Sequence, residues 1–255
     1  MVQVLDCTFR DGGYYVDWDF EPKLVSKYLS ATNSANIDII EVGFRFTPKS
    51  KFIGPFGYAS DPFIGTLNLG PNSQIAVMIN ASDILTYNKG IKAALNLLFN
   101  DAGESSVDIV RIAAHHKDVK SCDEIASILN GMGYRVFLNI MQVDGLASKL
   151  LSEYGKVVQN WGVVDALYFA DSFGSMDVSS VESTINAMRS SWQGPIGFHA
   201  HENKGNALNN CIRAIELGVE YIDGTMSGMG RGAGNARTED LLVELSLRGI
   251  KNYQL

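Results

Sequence analysis

Eight short apolar, β-branched runs recur along the chain at fairly even spacing, and no other feature limits the possible folds so tightly. They are QVLDCT (3–8), IDIIEVGF (37–44), QIAVMIN (74–80), VDIVRIAA (107–114), RVFLNIMQ (135–142), ALYFADS (166–172), IGFHAH (196–201) and YIDGTMS (221–227). The stretches between them, among them EPKLVSKYLSAT, SCDEIASILNGMG, VSSVESTINAMRSSW and GNALNNCIRAIELG, repeat apolar residues three or four apart, which predicts amphipathic helices. Asp118, Asp177 and Asn203 stand where helix caps belong, and Gly131, Gly133 and Gly218 where helices stop. Strand and helix in alternation imply a parallel sheet with right-handed crossovers. Eight such units in 255 residues match an α/β fold of the (β/α)8 TIM-barrel type, a single domain over residues 1–255. A doubly wound open sheet is the alternative, but no GxGxxG follows the first run.

Composition narrows the function. A net charge of −7 argues against a general nucleic-acid binder, which carries a basic patch. No apolar run approaches the roughly 18–20 residues needed to span a bilayer, and the start, MVQVLDCTFRDGG, lacks the pattern of a signal peptide. Cys7, Cys122 and Cys211 are far apart and odd in number, so neither a disulfide framework nor a thiolate metal cage is expected, and a reducing cytoplasm is the expected home.

Two of the four histidines, His199 and His201, lie one residue apart at the end of the seventh run. In a strand, residues i and i+2 share a face, and paired imidazoles commonly serve metal ions; the blander reading is two polar residues where a strand leaves the core. The chemistry of a (β/α)8 barrel sits at the C-terminal ends of its strands, where this sequence puts its least expected polar residues. Run one leads into Thr8-Phe9-Arg10-Asp11-Gly12-Gly13, run two ends near Glu41, run four at His115-His116, run six at Asp171-Ser172, run seven at His199-Ala200-His201, and run eight enters SGMGRGAGNA (227–236). Asp11, His199 and His201 make one carboxylate and two imidazoles, a set that suits Mn2+, Mg2+, Fe2+ or Zn2+ and leaves positions open for substrate and water. Arg10 can offer a guanidinium to a developing enolate; the plainer reading of Arg10–Asp11 is a surface ion pair. The segment from Arg45 to Pro62, RFTPKSKFIGPFGYASDP, has three prolines and no helical pattern, which reads as a substrate lid or as a solvated loop. Arg45, Lys49 and Lys51 make it the only basic cluster among the strand-end loops.

LDCTFRDGG, IEVGF, RIAAHH, ADSFGSM, HAHEN and GMGRGAGNA, in that order, resemble the motifs of the DRE-TIM metallolyases. The resemblance runs from residue 4 to about residue 240 and is nearest to the 4-hydroxy-2-oxo acid aldolases. It implies a divalent metal, Mn2+ or Mg2+ first, held by Asp11, His199 and His201 with Asn235 as a further or water-mediated partner. It implies Arg10 as the enolate-stabilising group and Glu41 as the residue that orients it, with Asp171 and Ser172 lining the pocket and Ser172 binding the substrate carboxylate. The reaction implied is cleavage or formation of a carbon–carbon bond in a 4-hydroxy-2-oxo acid through a metal-bound pyruvate enolate, the partners being a small 2-oxo acid and an aldehyde. The alternatives are an acyl-CoA condensing enzyme of the same superfamily and a non-catalytic metabolite-binding barrel; a homodimer is the expected assembly. This sequence departs from the aldolase pattern at Tyr14, where a histidine base is usual. A phenol near pKa 10 is a poor base at neutral pH, so Tyr14 as acid or relay, His115, and metal-bound hydroxide all stand as candidates beside a Tyr14 that only packs over the pocket. The aldolases' C-terminal helical region is missing, so no dehydrogenase partner is expected. Arg45 is the candidate substrate-binding residue of the 45–62 loop, whose charge would favour an anionic aldehyde half.

Overall fold

The computed structural model describes residues 2–254, and in it eight parallel strands close into one barrel in sequence order. They are β1 (Gln3–Asp6), β2 (Ile39–Phe44), β3 (Gln74–Asn80), β4 (Ile109–His115), β5 (Arg135–Met141), β6 (Ala166–Asp171), β7 (Ile196–Ala200) and β8 (Tyr221–Gly224). β1 pairs with β8 through Val4–Ile222 and Leu5–Asp223, which removes any sheet edge. Outward-facing Val4, Ile40, Val42, Val77, Val110, Val136 and Leu138 pack under the surrounding helices. No helix is long and apolar enough to cross a membrane among the described residues.

The period of two along each strand sorts the inward-facing side chains into layers. At the bottom, Leu5, Ile39, Ala76, Ile109, Phe137, Ala166, Tyr168 and Tyr221 form a buried apolar and aromatic plug. Two residues further along, β2, β4 and β8 put Glu41, Arg111 and Asp223 inside the barrel, all essentially inaccessible. Above these lie the strand ends and the site. The layers need one glycine: a Cβ on Gly197 would sit 2.3 Å from the Tyr168 ring, so only glycine lets that ring fill the barrel below His199.

Several sequence expectations shift. β1 stops at Asp6, two residues early, and Thr8–Asp11 is a single helical turn. Asp177 caps its helix, accepting a hydrogen bond from the Ser180 N–H at 2.8 Å. Asp118 is no cap: it lies inside a 3-10 turn (His116–Ser121) that His115 caps, and the α-helix begins at Asp123. Asn203 is no cap either, because the chain turns through Gly205 before the helix starts at Ala207. The 45–62 segment contains two single-turn helices, Pro55–Tyr58 and Asp61–Ile64, folded back onto β2 so that the Phe56 carbonyl lies where a Gly43 side chain would be.

Candidate active site

The helical turn after β1 brings Arg10 and Asp11 to the barrel mouth together, which alternation along a strand would have prevented. Both side chains are buried. The two glycines that follow make room rather than chemistry. A Cβ on Gly13 would lie 2.0 Å from the Trp18 ring, and Trp18 needs that place to donate its indole N–H to the Arg10 carbonyl at 2.9 Å. A Cβ on Gly12 would lie 2.9 Å from the Met229 side chain of the β8 loop. β7 delivers His199 inside the barrel, and His201 follows two residues later in a bridge to Asn235.

Asp11, His199 and His201, all buried, each offer a ligand atom within 4.8 Å of the other two. His199 Nε2 is 3.3 Å from Asp11 Oδ2. Asn235 donates its amide N–H to Asp11 Oδ2 at 2.7 Å and to the Met229 carbonyl at 3.0 Å. Asp11 Oδ1 faces the Arg10 guanidinium at 2.7 Å, whereas His199 Nε2 and Asn235 Oδ1 are left unpaired, although buried polar atoms are ordinarily satisfied. With the clustered Asp11 carboxylate and His201 imidazole, this donor set fits a divalent cation. Against the effect of burial, Arg10 and His199 hold the Asp11 carboxyl well below the usual carboxylate range. Burial, then His199, lowers His201 to about 4, so its imidazole is neutral at pH 7 and ready to bind a metal.

A second group, Cys7 with His199 and Asp223, has the same compactness. It does not make a thiolate site. Burial pushes the Cys7 thiol well up, and its S–H donates to the Gly224 carbonyl at 3.4 Å.

Beneath the ligands runs an ion network that the sequence reading only half contained. Arg10 donates from Nε to Glu41 Oε2 at 2.8 Å and lies 2.7 Å from Asp11 through Nη1. Glu41 accepts from Arg111 at 3.1 Å, and Arg111 donates to Asp223 at 2.7 Å. The Arg111 guanidinium lies 4.5 Å over the Tyr168 ring. Asp223 accepts from His199 Nδ1 at 2.9 Å, which fixes the tautomer that leaves Nε2 free for an ion. Glu41 therefore bridges the Arg10 and Arg111 guanidinium groups. Asp223 and Arg111 were missed, although a charged residue inside an apolar run (YIDG, IVRIAA) was the available signal.

The cavity above the ligands is lined by Arg10, Tyr14, Asn80, Asn139, Ser172, His199, His201 and Arg231, with Phe44, Met78, Ala113, Met141 and Ala170 between them. Ser172 Oγ accepts from the Gln142 N–H at 2.8 Å, leaving its own hydroxyl proton to donate. Tyr14 lines the cavity, and burial raises its pKa further from neutrality. Three residues lie elsewhere. His115 is outside the lining, and both ring nitrogens are engaged: Nδ1 accepts from the Lys117 N–H at 3.2 Å and Nε2 faces Gln142 Oε1 at 2.7 Å. Asp171 turns away from the cavity to accept from the Ser175 and Met176 N–H groups. Arg45 is only 2% exposed and donates to the Ala59 carbonyl, the Leu98 carbonyl and Asp61 at 2.8–3.0 Å, because the folded-back loop has buried carbonyls that need donors.

Residues 66–254 match the family model described as HMGL-like. The chain belongs to the HMGL-like family. It is 30% identical over 253 residues to the 4-hydroxy-2-oxovalerate aldolase of Carboxydothermus hydrogenoformans, covering 98% of this chain and 72% of that one. It is 29% identical to the same-named protein of Spirochaeta aurantia, covering 98% and 71%. Among solved structures, the N-terminal domain of a Bacteroides vulgatus protein assigned as an aldolase superposes with a TM-score of 0.86 at 34% identity, over 99% of this chain and 82% of that one. The hydroxymethylglutaryl-CoA lyase of Pseudomonas aeruginosa shares the fold, with a TM-score of 0.78 at 19% identity over 98% and 87%. Membership of the HMGL-like family, with its aldolase relatives, makes this chain a lyase, in keeping with the motif resemblance.

Proposed function

We propose that this chain is a divalent-metal-dependent aldolase of the class II pyruvate type, which cleaves or forms the carbon–carbon bond of a 4-hydroxy-2-oxo acid, with a small 2-oxo acid and an aldehyde as its partners. The observation that carries the reading is the buried cluster of Asp11, His199 and His201, with His199 Nε2 and Asn235 Oδ1 unpaired, beside a cavity that Arg10 also lines. A mixed carboxylate, imidazole and amide set with open positions suits Mn2+ or Mg2+. When bound, such an ion supplies Lewis acidity to the keto oxygen of a 2-oxo acid.

The remaining work falls to side chains. Arg10 is held by Asp11 and Glu41 through Nη1 and Nε, and its Nη2 is buried and unpartnered. That N–H is a preorganised donor for charge that develops on an enolate oxygen. Ser172 has a free hydroxyl proton for the carboxylate of the oxo acid. Tyr14 is protonated at neutral pH and holds its proton at the mouth, which suits a proton donor or relay to the 4-hydroxyl oxygen. Residence in a reducing cytoplasm belongs to the same reading, supported by three buried, unpaired cysteines; so does a homodimer, which light scattering would check.

The test is Asp11→Asn with His201→Ala alongside. Each is expected to weaken Mn2+ binding in calorimetry and to lower the rate of pyruvate release from 4-hydroxy-2-oxopentanoate by about 10^3-fold or more. Wild-type turnover that is indifferent to chelator, or variants that cleave normally, would sink the reading.

A further inference from the structure

The only basic cluster in the strand-end loops does not reach the site. Arg45 is consumed by two carbonyls and Asp61, Lys49 pairs with Asp83 at 2.6 Å, and Lys51 pairs with Asp17 at 2.9 Å. The cation that does reach the mouth is Arg231, from the loop after β8. It lines the cavity, and its guanidinium lies 4.6 Å over the Tyr14 ring. Among the described residues no carboxylate lies within 4.0 Å of it.

The charge around the cavity makes this cation conspicuous. Three buried carboxylates, Asp11, Glu41 and Asp223, meet two buried guanidinium groups, Arg10 and Arg111. One negative charge is in excess. A divalent ion turns that into one positive charge, and the carboxylate of a 2-oxo acid neutralises it. Arg231 is then left over on the exposed rim of the cavity, an uncompensated cation that attracts a second anion. The space below is small, about 40 Å3, against the ~300 Å3 of an ordinary ligand pocket. The half of the substrate beyond the reacting carbons therefore projects toward Arg231.

We infer that Arg231 is a specificity-determining residue, forming a subsite for an anionic group, carboxylate or phosphate, on the aldehyde half of the 4-hydroxy-2-oxo acid. This rests on the aldolase reading above, and the experiment separates the two. With Mn2+-loaded full chain, kcat/KM is measured for 4-hydroxy-2-oxoglutarate against its C5 amide. A sugar-derived 4-hydroxy-2-oxo acid is compared with and without a terminal phosphate. In parallel, calorimetry measures binding of 2-oxoglutarate against 2-oxohexanoate, which needs no turnover. The charged member of at least one pair is expected to be preferred by about tenfold or more. Arg231→Met should bring that ratio close to one, and Arg231→Lys should restore part of it. The larger of the carboxylate and phosphate preferences identifies the anion. No charge preference in the wild type, a preference that survives in Arg231→Met, or an equal loss on charged and neutral members would overturn the subsite; the last result would assign Arg231 to the oxo acid's own carboxylate. Binding that depends on both charge and Arg231, without any cleavage, would uphold the subsite and bring down the aldolase reading instead.

Discussion

His199 can offer Nε2 to an ion only because Asp223 takes Nδ1. Burial alone would raise the Asp223 carboxyl, but Arg111 and then His199 outweigh it and keep the group ionised. Asp223→Asn is therefore expected to weaken Mn2+ binding about 10–100-fold, the usual effect of losing a carboxylate behind a ligating histidine. Calorimetric titration with Mn2+ checks this, and an unchanged affinity would show that the tautomer is fixed by other means. The cluster of Asp11, His199 and His201 was legible in the sequence as a candidate metal site, through HxH spacing, residue type and motif resemblance. Asp223 and Arg111 were not, because their roles depend on which side chains meet across the barrel. His115 and Arg45 mislead for the same reason. Each stands at a strand end, where chemistry belongs, and each is claimed by local hydrogen bonds.

At the scale of elements, the 45–62 loop shows how a segment without periodicity still acquires a fixed shape. Its two short helices carry a proline in the first turn, Pro55 at the first position of one and Pro62 at the second position of the other, which presets that turn. Arg45 then satisfies the Ala59 carbonyl from one side and the Leu98 carbonyl from the other, stacks over Phe99 at 4.7 Å, and pairs with Asp61. Arg45→Met removes all three donors while leaving the carbonyls buried. The variant is expected to lose about 2–4 kcal/mol of unfolding free energy, read by urea denaturation. A loss under about 0.5 kcal/mol would mean that water replaces the guanidinium. The helical turn at Thr8–Asp11 is a similar case. The apolar run suggested strand through Thr8, but Cys7 is followed by a turn whose N-terminus Asp6 caps by accepting from the Thr8 N–H at 2.9 Å.

At the scale of the whole molecule, one pair of a buried and a half-buried carboxyl sets a pH dependence that no single element shows. Asp171 and Asp144 hold neighbouring ends of β6 and the β5 loop, with Asp144 accepting from the Ser172 N–H and the Ser175 hydroxyl. Burial, then Asp144, raises Asp171 from its ordinary 3.8 to about 7. A carboxyl whose folded value lies above its unfolded value keeps its proton in the native state while the unfolded chain gives it up. The resulting contribution is intact near pH 4 and is lost progressively as pH rises to about 7. Wild-type stability from this pair should thus be lower at pH 8 than at pH 5, and Asp144→Asn should shrink that difference. Urea unfolding at the two pH values checks it, and an identical difference in the variant would remove the pair from the account. The sequence by itself determined the fold class and the residue types gathered at the strand ends, because hydrophobic period and motif spacing are local properties of the chain. Only the closed barrel decided which charges neutralise one another, since Glu41, Arg111, Asp223 and His199 lie tens of residues apart and meet only when period-two layers from different strands stack at one height.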